Sequence, residues 1–294
     1  MTNWKDIEFR SSSFRRAIVK GVAALALAAI AITPFASAAS AQPLLDKIKN
    51  GEPIRIGFSN EVPLAYSGPN GEPLGAINEM TLDILKQLGT TKIEPVVTEW
   101  GSIIPGLVAG RFDIITGGMF VTPERCRNVL FTEPLMSGTS AMIVPKGNPD
   151  NLHSIQDVRD KGLTLVTGSG WTLVKDAKTV GVPEDKIMQV AGVAEVLQAV
   201  KSGRAAAGAG SVLAMKEIAD KDPSVQLAEP FTQPVLPGLG ALAFPPDQQA
   251  TVDAVNAVLK DYVKSDRMIS VLEKYGYSKA VLPDGRTTAE LCKG

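Results

Sequence analysis

The sequence predicts an α/β fold of two lobes enclosing a cleft. Three observations carry this. After residue 41, short β-type runs alternate with helical stretches, the pattern of strands joined by helices. A polar loop at 146–151 then opens a second series of the same kind. Finally, a Pro/Gly-rich stretch at 234–240 leads into one more strand, as if the chain returned to its first series. Residues 42–139 and 241–294 are expected to form one discontinuous lobe and 145–237 the other, with a hinge region at 140–144 and 238–240. A small ligand would sit between the lobes.

Taken in order, 54–58 (IRIGF) is a first strand. Helix 78–89 places Met80, Ile84, Leu85 and Leu88 on one face, and Gly89 stops it. Strand 92–97, a short helix 103–109 ending at Gly110, and strand 112–116 (FDIIT) follow. Residues 140–144 (SAMIV) are a strand closed by Pro145. The second series comprises helix 155–160, strand 163–166, helix 172–179, strand 187–190, helix 193–202 stopped by Gly203, helix 213–220 and strand 225–227. Strand 241–244, helices 247–265 and 266–275, and a tail to Gly294 complete the chain. No repeat of fixed period is visible.

Composition excludes several classes. The 294 residues carry 30 Lys+Arg against 31 Asp+Glu, with a pI near 6.0, which speaks against nucleic-acid binding. A hydrophobic content of 45% supports a packed core. Two cysteines cannot frame a disulfide-rich scaffold, and the single histidine, His153, disfavours a His-built metal site or a Ser-His-Asp triad. No cofactor or metal motif stands out.

Residues 1–41 read as an export signal. Arg10, Arg15, Arg16 and Lys20 precede an apolar run at 21–32, and small residues end in Ala39-Ser40-Ala41. The run is too short for a membrane span of about 20 residues. Cleavage after Ala38 is an alternative, and Arg15-Arg16 partly resembles a twin-arginine signal, although Phe14 departs from it. Cleavage after Ala41 removes five basic and two acidic residues, which changes the net charge from -1 to -4. In an oxidising compartment Cys126 and Cys292 could pair across a very long loop or remain as thiols.

Residues 106–135 contain Gly106-Leu107, Gly110-Arg111, Asp113, Gly118-Met119, Thr122-Pro123-Glu124-Arg125 and Phe131-Thr132-Glu133-Pro134. This ordered set resembles the polar amino-acid-type substrate-binding proteins of bacterial ABC importers. Within that family the likeness is greatest to ectoine/hydroxyectoine-binding proteins, through 59–63, 99–107, 120–126 and the ending Leu291-Cys292-Lys293-Gly294. The chain departs from that subgroup at Leu64, where an aromatic residue is expected, and at Trp171, where a glycine is expected. The resemblance implies a periplasmic-binding-protein-like fold, two α/β lobes joined by two hinge strands, closing on a ligand without chemistry. It also implies a Cys126–Cys292 disulfide and membrane permease and ATPase partners for a periplasmic, monomeric carrier.

The candidate ligand residues follow. Arg125, after the Thr-Pro-Glu turn, offers two parallel donors to a carboxylate; the alternative is a surface arginine paired with Glu124 or Glu133. Thr122 and the backbone at 119–120 could add donors, and Pro123 suits a first helical turn whose free N–H groups would face the anion. Glu61, in a loop after the first strand, could meet a ligand cation or be a solvated glutamate. Trp100 and Phe120 would follow strands two and three on loops at the cleft, where aromatic faces attract delocalised cations; core packing is the other reading. Trp171, after Gly168-Ser169-Gly170, could supply the ring that Leu64 lacks or narrow the pocket. Thr172 suits a helix N-cap or a hydroxyl donor, and Tyr66 is a weaker addition.

One absence is informative. Amino-acid binders of this family carry an Asp in the second-lobe Gly-Arg-x-Asp region, which here reads GRAAAGAGS over 203–211. A primary ammonium would lose its carboxylate partner there. That absence favours a ligand whose cation is delocalised or shielded, and the resemblance implies that it is a small zwitterionic compatible solute, ectoine or hydroxyectoine. Rival readings are another small carboxylate such as a betaine or polar amino acid, or a dehydratase of cyclic carboxylic acids using Glu61 and Glu99 as its acid/base pair. A sensor domain would need a membrane helix or kinase, and neither is present in the sequence.

Overall fold

In this computed structural model, which describes residues 43–232 and 237–293, two mixed sheets with helices on their faces hold most of the buried side chains. The export signal expected over 1–41 lies outside the described residues. The chain begins with α1 (Leu44–Lys49), β1 (Ile54–Phe58), a hairpin of β2 (Tyr66–Ser67) and β3 (Pro73–Leu74), α2 (Ala76–Leu88), β4 (Ile93–Val97) and α3 (Ile103–Val108). It continues through β5 (Ile114–Phe120), α4 (Pro123–Cys126), β6 (Leu130–Phe131) and β7 (Met136–Gly138). The second series is β8 (Ser140–Pro145), α5 (Ile155–Asp160), β9 (Leu165–Gly168), α6 (Thr172–Thr179), β10 (Ile187–Val190), α7 (Val193–Lys201), β11 (Ala207–Ser211), α8 (Val212–Lys221) and β12 (Val225–Leu227). The chain then returns with β13 (Gly238–Phe244), α9 (Gln249–Tyr262), α10 (Asp266–Lys274) and α11 (Thr288–Leu291).

The first sheet runs β4-β1-β5-β13-β6, with β7 also paired to β13. Strands β4, β1 and β5 are parallel, and β13 runs against β5. The second sheet runs β10-β9-β11-β8-β12, with β8 antiparallel to both neighbours. Each sheet is thus a parallel βαβ core closed by an antiparallel strand. The chain leaves the first sheet after Gly138, paired with Gly238, and enters the second at Ser140, paired with Ser211. Thr139 is the step between them. Ser140–Pro145 pairs within the second sheet and Gly238–Phe244 within the first.

Packing explains the parallel strands. In β1, Ile54, Ile56 and Phe58 are fully buried, and each such side chain contributes about 1.5–3 kcal/mol. Gly57 leaves room for the Phe112 ring, because a Cβ there would lie 2.5 Å from it. Asp113 of the Gly-Arg-x-Asp element has a structural task. It takes the Arg55 guanidinium in an ion pair at 2.7 Å and the Arg55 N–H at 2.9 Å, tying β1 to the start of β5. Asn78 and Thr116 are buried together, the threonine hydroxyl donating to the Asn78 carbonyl oxygen at 2.6 Å. Helices α2, α9 and α10 cover one face of this sheet through Met80, Ile84, Val255, Leu259 and Leu272.

Several boundaries differ from the sequence reading. The third strand covers Ile114–Phe120 rather than 112–116. Pairing of Met119 and Phe120 to β13 carries the strand through Gly117 and Gly118. Helix α2 starts two residues before Asn78, and the strand read at 163–166 lies at Leu165–Gly168. The N-terminal helix, the β2–β3 hairpin, β6, β7 and α11 are too short to show periodicity.

Candidate functional site

The carboxyl ends of the parallel strands put their following residues into one place, the common location of ligands in α/β sheets. Glu61 follows β1, Trp100 follows β4, Phe120 ends β5, Trp171 follows β9 and Ser211 ends β11. All five line a cavity of about 70 Å³, together with Leu64, Gly117, Gly118 and Arg125 of the first lobe, Thr139 and Ser140 at the crossing, and Thr172 and Leu173 of the second lobe. Glu61 and Arg125 are the two charged residues in this lining, and both come from the first lobe.

Arg125 sits in the short helix α4, whose N-cap is Thr122. The Thr122 hydroxyl oxygen accepts from the Arg125 N–H at 3.3 Å, and Pro123 occupies the first turn. The guanidinium donates to the Phe120 carbonyl at 2.8 Å and across the cleft to the Gly170 carbonyl at 2.9 Å. Its Cζ lies 6.0 Å from the Trp100 ring centre, within cation–π range. Burial pulls it down to about 10, only weakly opposed by the charge of Glu124. An arginine stays protonated in proteins, so the cation is desolvated with dipoles rather than a carboxylate against it. An incoming anion relieves that cost. Glu133 is occupied elsewhere, accepting from the backbone of Thr288 at 3.1 Å.

Glu61 is held by a tight turn, its N–H donating to the Ala65 carbonyl at 2.8 Å while its own carbonyl accepts from Leu64 and Ala65. Its carboxylate accepts from the Ser211 hydroxyl at the opposite wall. Burial raises the Glu61 carboxyl above its ordinary value, and the Ser211 bond partly offsets this. Burial first, and then the charge of Glu61, push the buried Tyr277 phenol up.

The rings rest on glycines. A Cβ at Gly117 would lie 2.6 Å from the Trp100 ring, and Cβ atoms at Gly138 and Gly238 would lie 2.6 and 2.4 Å from the Phe120 ring. Phe120 ends its strand and Trp100 opens a 3-10 turn (Trp100–Ser102), so neither hangs on a free loop as read from sequence. Trp171, not Thr172, is the N-cap of α6. Thr172 is the first helical residue and lines the cavity, where its hydroxyl stays available as a donor. Thr122 lines a recess beside the central cavity, with Arg125. Tyr66 lies in the hairpin and is absent from the lining.

Cys126 and Cys292 form a disulfide with Cα atoms 5.7 Å apart. It fastens α11 to α4, next to Arg125. The contact is reinforced by the Thr288 hydroxyl, which donates to the Thr132 carbonyl at 2.6 Å. His153 is not in the cavity lining, and its Nε2 lies 3.1 Å from Asn151 Oδ1. Glu99 lines an adjoining recess rather than the central cavity. Sequence reasoning missed Ser211 and Tyr277. Ser211 ends a glycine-alanine strand before a helix, a position that could have been flagged. Tyr277 carries no local signal.

Comparison with known proteins accords with this geometry. Residues 54–278 match the model of the bacterial extracellular solute-binding proteins, family 3. The "Probable amino-acid ABC transporter periplasmic-binding protein y4tE" of Sinorhizobium fredii is 37% identical over 91% of this chain and 92% of its own. The crystal structure of EhuB in complex with hydroxyectoine superposes with a TM-score of 0.78 at 31% identity, covering 85% of this chain and 97% of that one. A cyclohexadienyl dehydratase of Pseudomonas aeruginosa is 25% identical over 52% of this chain and 57% of its own. The long matches are to binding proteins, and the enzyme is a distant, partial relative. Two βαβ lobes whose strand ends meet at one charged, ring-lined cavity thus belong to a member of the bacterial extracellular solute-binding proteins, family 3.

Proposed function

We propose that this protein is exported to the periplasm, captures a compact zwitterionic solute, ectoine or hydroxyectoine, by lobe closure about the crossing at Thr139, and passes it to the permease and ATPase subunits of its importer. The observation that carries the reading is the charge content of the central cavity: one guanidinium, one carboxylate and three aromatic side chains. A ligand with one carboxylate and one delocalised cation balances both charges, its carboxylate on Arg125 and its cyclic amidinium between Glu61 and the rings. The 31% identity to EhuB, seen with hydroxyectoine, supports the same ligand class.

The second-lobe wall contributes Ser211 and Trp171 in place of a carboxylate, which disfavours a primary ammonium. The amino-acid relatives keep a betaine or polar amino acid as the rival ligand. A thermal-shift panel of ectoine, hydroxyectoine, glycine betaine, proline, glutamine and arginine separates them. A ligand at about 100 times its Kd adds about 2.7 kcal/mol, or roughly 5–10 °C in Tm. Ectoine or hydroxyectoine is expected to give the largest shift. A larger shift with glutamine or arginine, and none with ectoine, would overturn the ligand.

A further inference from the structure

Trp100 and Trp171 are the two residues shared by the central cavity and both larger recesses beside it. One recess, of about 500 Å³, is bordered by Glu61, Glu99 and Glu195, with no lysine or arginine in its lining. The other, of about 580 Å³, is bordered by Arg125, Lys175 and Lys178, with Glu124 as its one acid. The cleft is therefore one polarised trough cut into three compartments by a pair of indoles. We propose that Trp171 is the specificity-determining wall of this cleft: it restricts the protein to compact zwitterions and shuts a longer, dicationic one out of the acidic recess behind it. The proposal rests on the zwitterion reading above.

Trp171 is built in from both lobes. On its own side, two strands lack side chains where the indole lies. A Cβ at Gly168 would be 2.2 Å from its Cε2, and one at Gly210 would be 3.1 Å from its Cζ3. The residue before it, Gly170, has φ +76°, a conformation that favours glycine, and a Cβ there would sit 3.2 Å from the Gly101 Cα of the first lobe. The Gly170 carbonyl is fixed by Arg125 at 2.9 Å. The indole thus has a seat on its own lobe, packs against the first-lobe cluster around Trp100 and Ile103, and follows a residue whose carbonyl is held by Arg125. Trimming it joins a cavity of about 70 Å³ to the acidic recess of about 500 Å³. A ligand whose carboxylate stays on Arg125 then has room for a cationic tail, and the three glutamates attract that tail.

The test measures Kd by calorimetry for ectoine, L-arginine and L-glutamine on the wild type, Trp171→Ala and Trp171→Leu, with a circular-dichroism melt for each. The ratio of arginine to ectoine affinity is expected to rise at least about tenfold in Trp171→Ala, equivalent to about 1.4 kcal/mol. The rise should be smaller in Trp171→Leu, and glutamine should gain less than arginine because its tail is neutral. Trp171→Leu decides the question if the alanine variant does not fold. Proportional loss of all three ligands, or wild-type binding of arginine as tight as the variants', overturns the wall. If the wild type ignores ectoine while Trp171→Ala still gains arginine, the ectoine reading falls and the wall stands. If the wild type binds ectoine and no variant gains arginine, the reverse holds. Binding of none of the three by any form overturns both.

Discussion

The two walls of the cleft are made differently. The first lobe supplies Arg125, Glu61, Trp100 and Phe120, whereas the second supplies a hydroxyl, a carbonyl and an indole. On the proposed reading, both charges on one lobe would let a zwitterion be recognised before the cleft closes. The second wall, uncharged where it lines the central cavity, would then cover the ligand and limit its size. The second wall touches both charges, Ser211 on Glu61 and Gly170 on Arg125. The ligand therefore replaces weak dipolar partners with full charges, and the gain per charge decides how strongly each first-lobe residue matters.

Arg125→Ala should break this asymmetry most strongly. Losing one partner of a desolvated ion pair costs about 2–5 kcal/mol, so ectoine affinity is expected to fall by about 30-fold or more, read by calorimetry. Next is the disulfide that fastens α11 beside Arg125. Its two cysteines are 166 residues apart, and Cys126→Ser with Cys292→Ser should cost about 2–4 kcal/mol, lowering Tm by roughly 5–15 °C. Trp100→Ala should cost about 0.5–2 kcal/mol of ligand affinity, the range for one ring facing a cation. A loss at Trp100 equal to that at Arg125 would contradict a charge-led first lobe.

The smallest effect concerns pH. Burial sets the Glu61 carboxyl above its value in the unfolded chain. The folded protein thus takes up that proton first as pH falls. This group's contribution to stability is present below the unfolded value and is lost as pH rises through the raised folded value. Binding runs the other way, because only the carboxylate attracts the cation, so ectoine affinity should weaken as pH falls through that raised value. Ser211→Ala removes the bond that holds the carboxyl down, and should move this loss of affinity to higher pH. A Kd series across mildly acidic pH for both proteins checks the direction. An unchanged profile would mean that Ser211 does not act through Glu61.

Much of this was legible in the sequence, for physical reasons that differ by residue. Strand 54–58 and helix 172–179 coincide with the structure because Ile54, Ile56 and Phe58 alternate onto one buried face of the strand and the helix has a regular apolar face. Arg125 and Phe120 were visible because they sit in an ordered motif. Strand β5 was misjudged at Gly117-Gly118, where tertiary pairing and the Trp100 ring override the poor strand propensity of glycine. Thr172 was misread as a cap because a threonine after glycines looks like one, yet the backbone turns helical one residue after Trp171. Ser211 reaches Glu61 from the opposite wall, a pairing that only the tertiary fold creates, although its place at the end of a glycine-alanine strand before a helix was visible.

The central claim is that Arg125 and Glu61 of the first lobe together hold a zwitterion. Its most direct test is a calorimetric titration of ectoine into the wild type and Arg125→Ala at neutral pH. The account predicts saturable one-to-one binding by the wild type and a loss of about 30-fold or more in the variant. An absence of binding to the wild type, or affinity unchanged by Arg125→Ala, would contradict it.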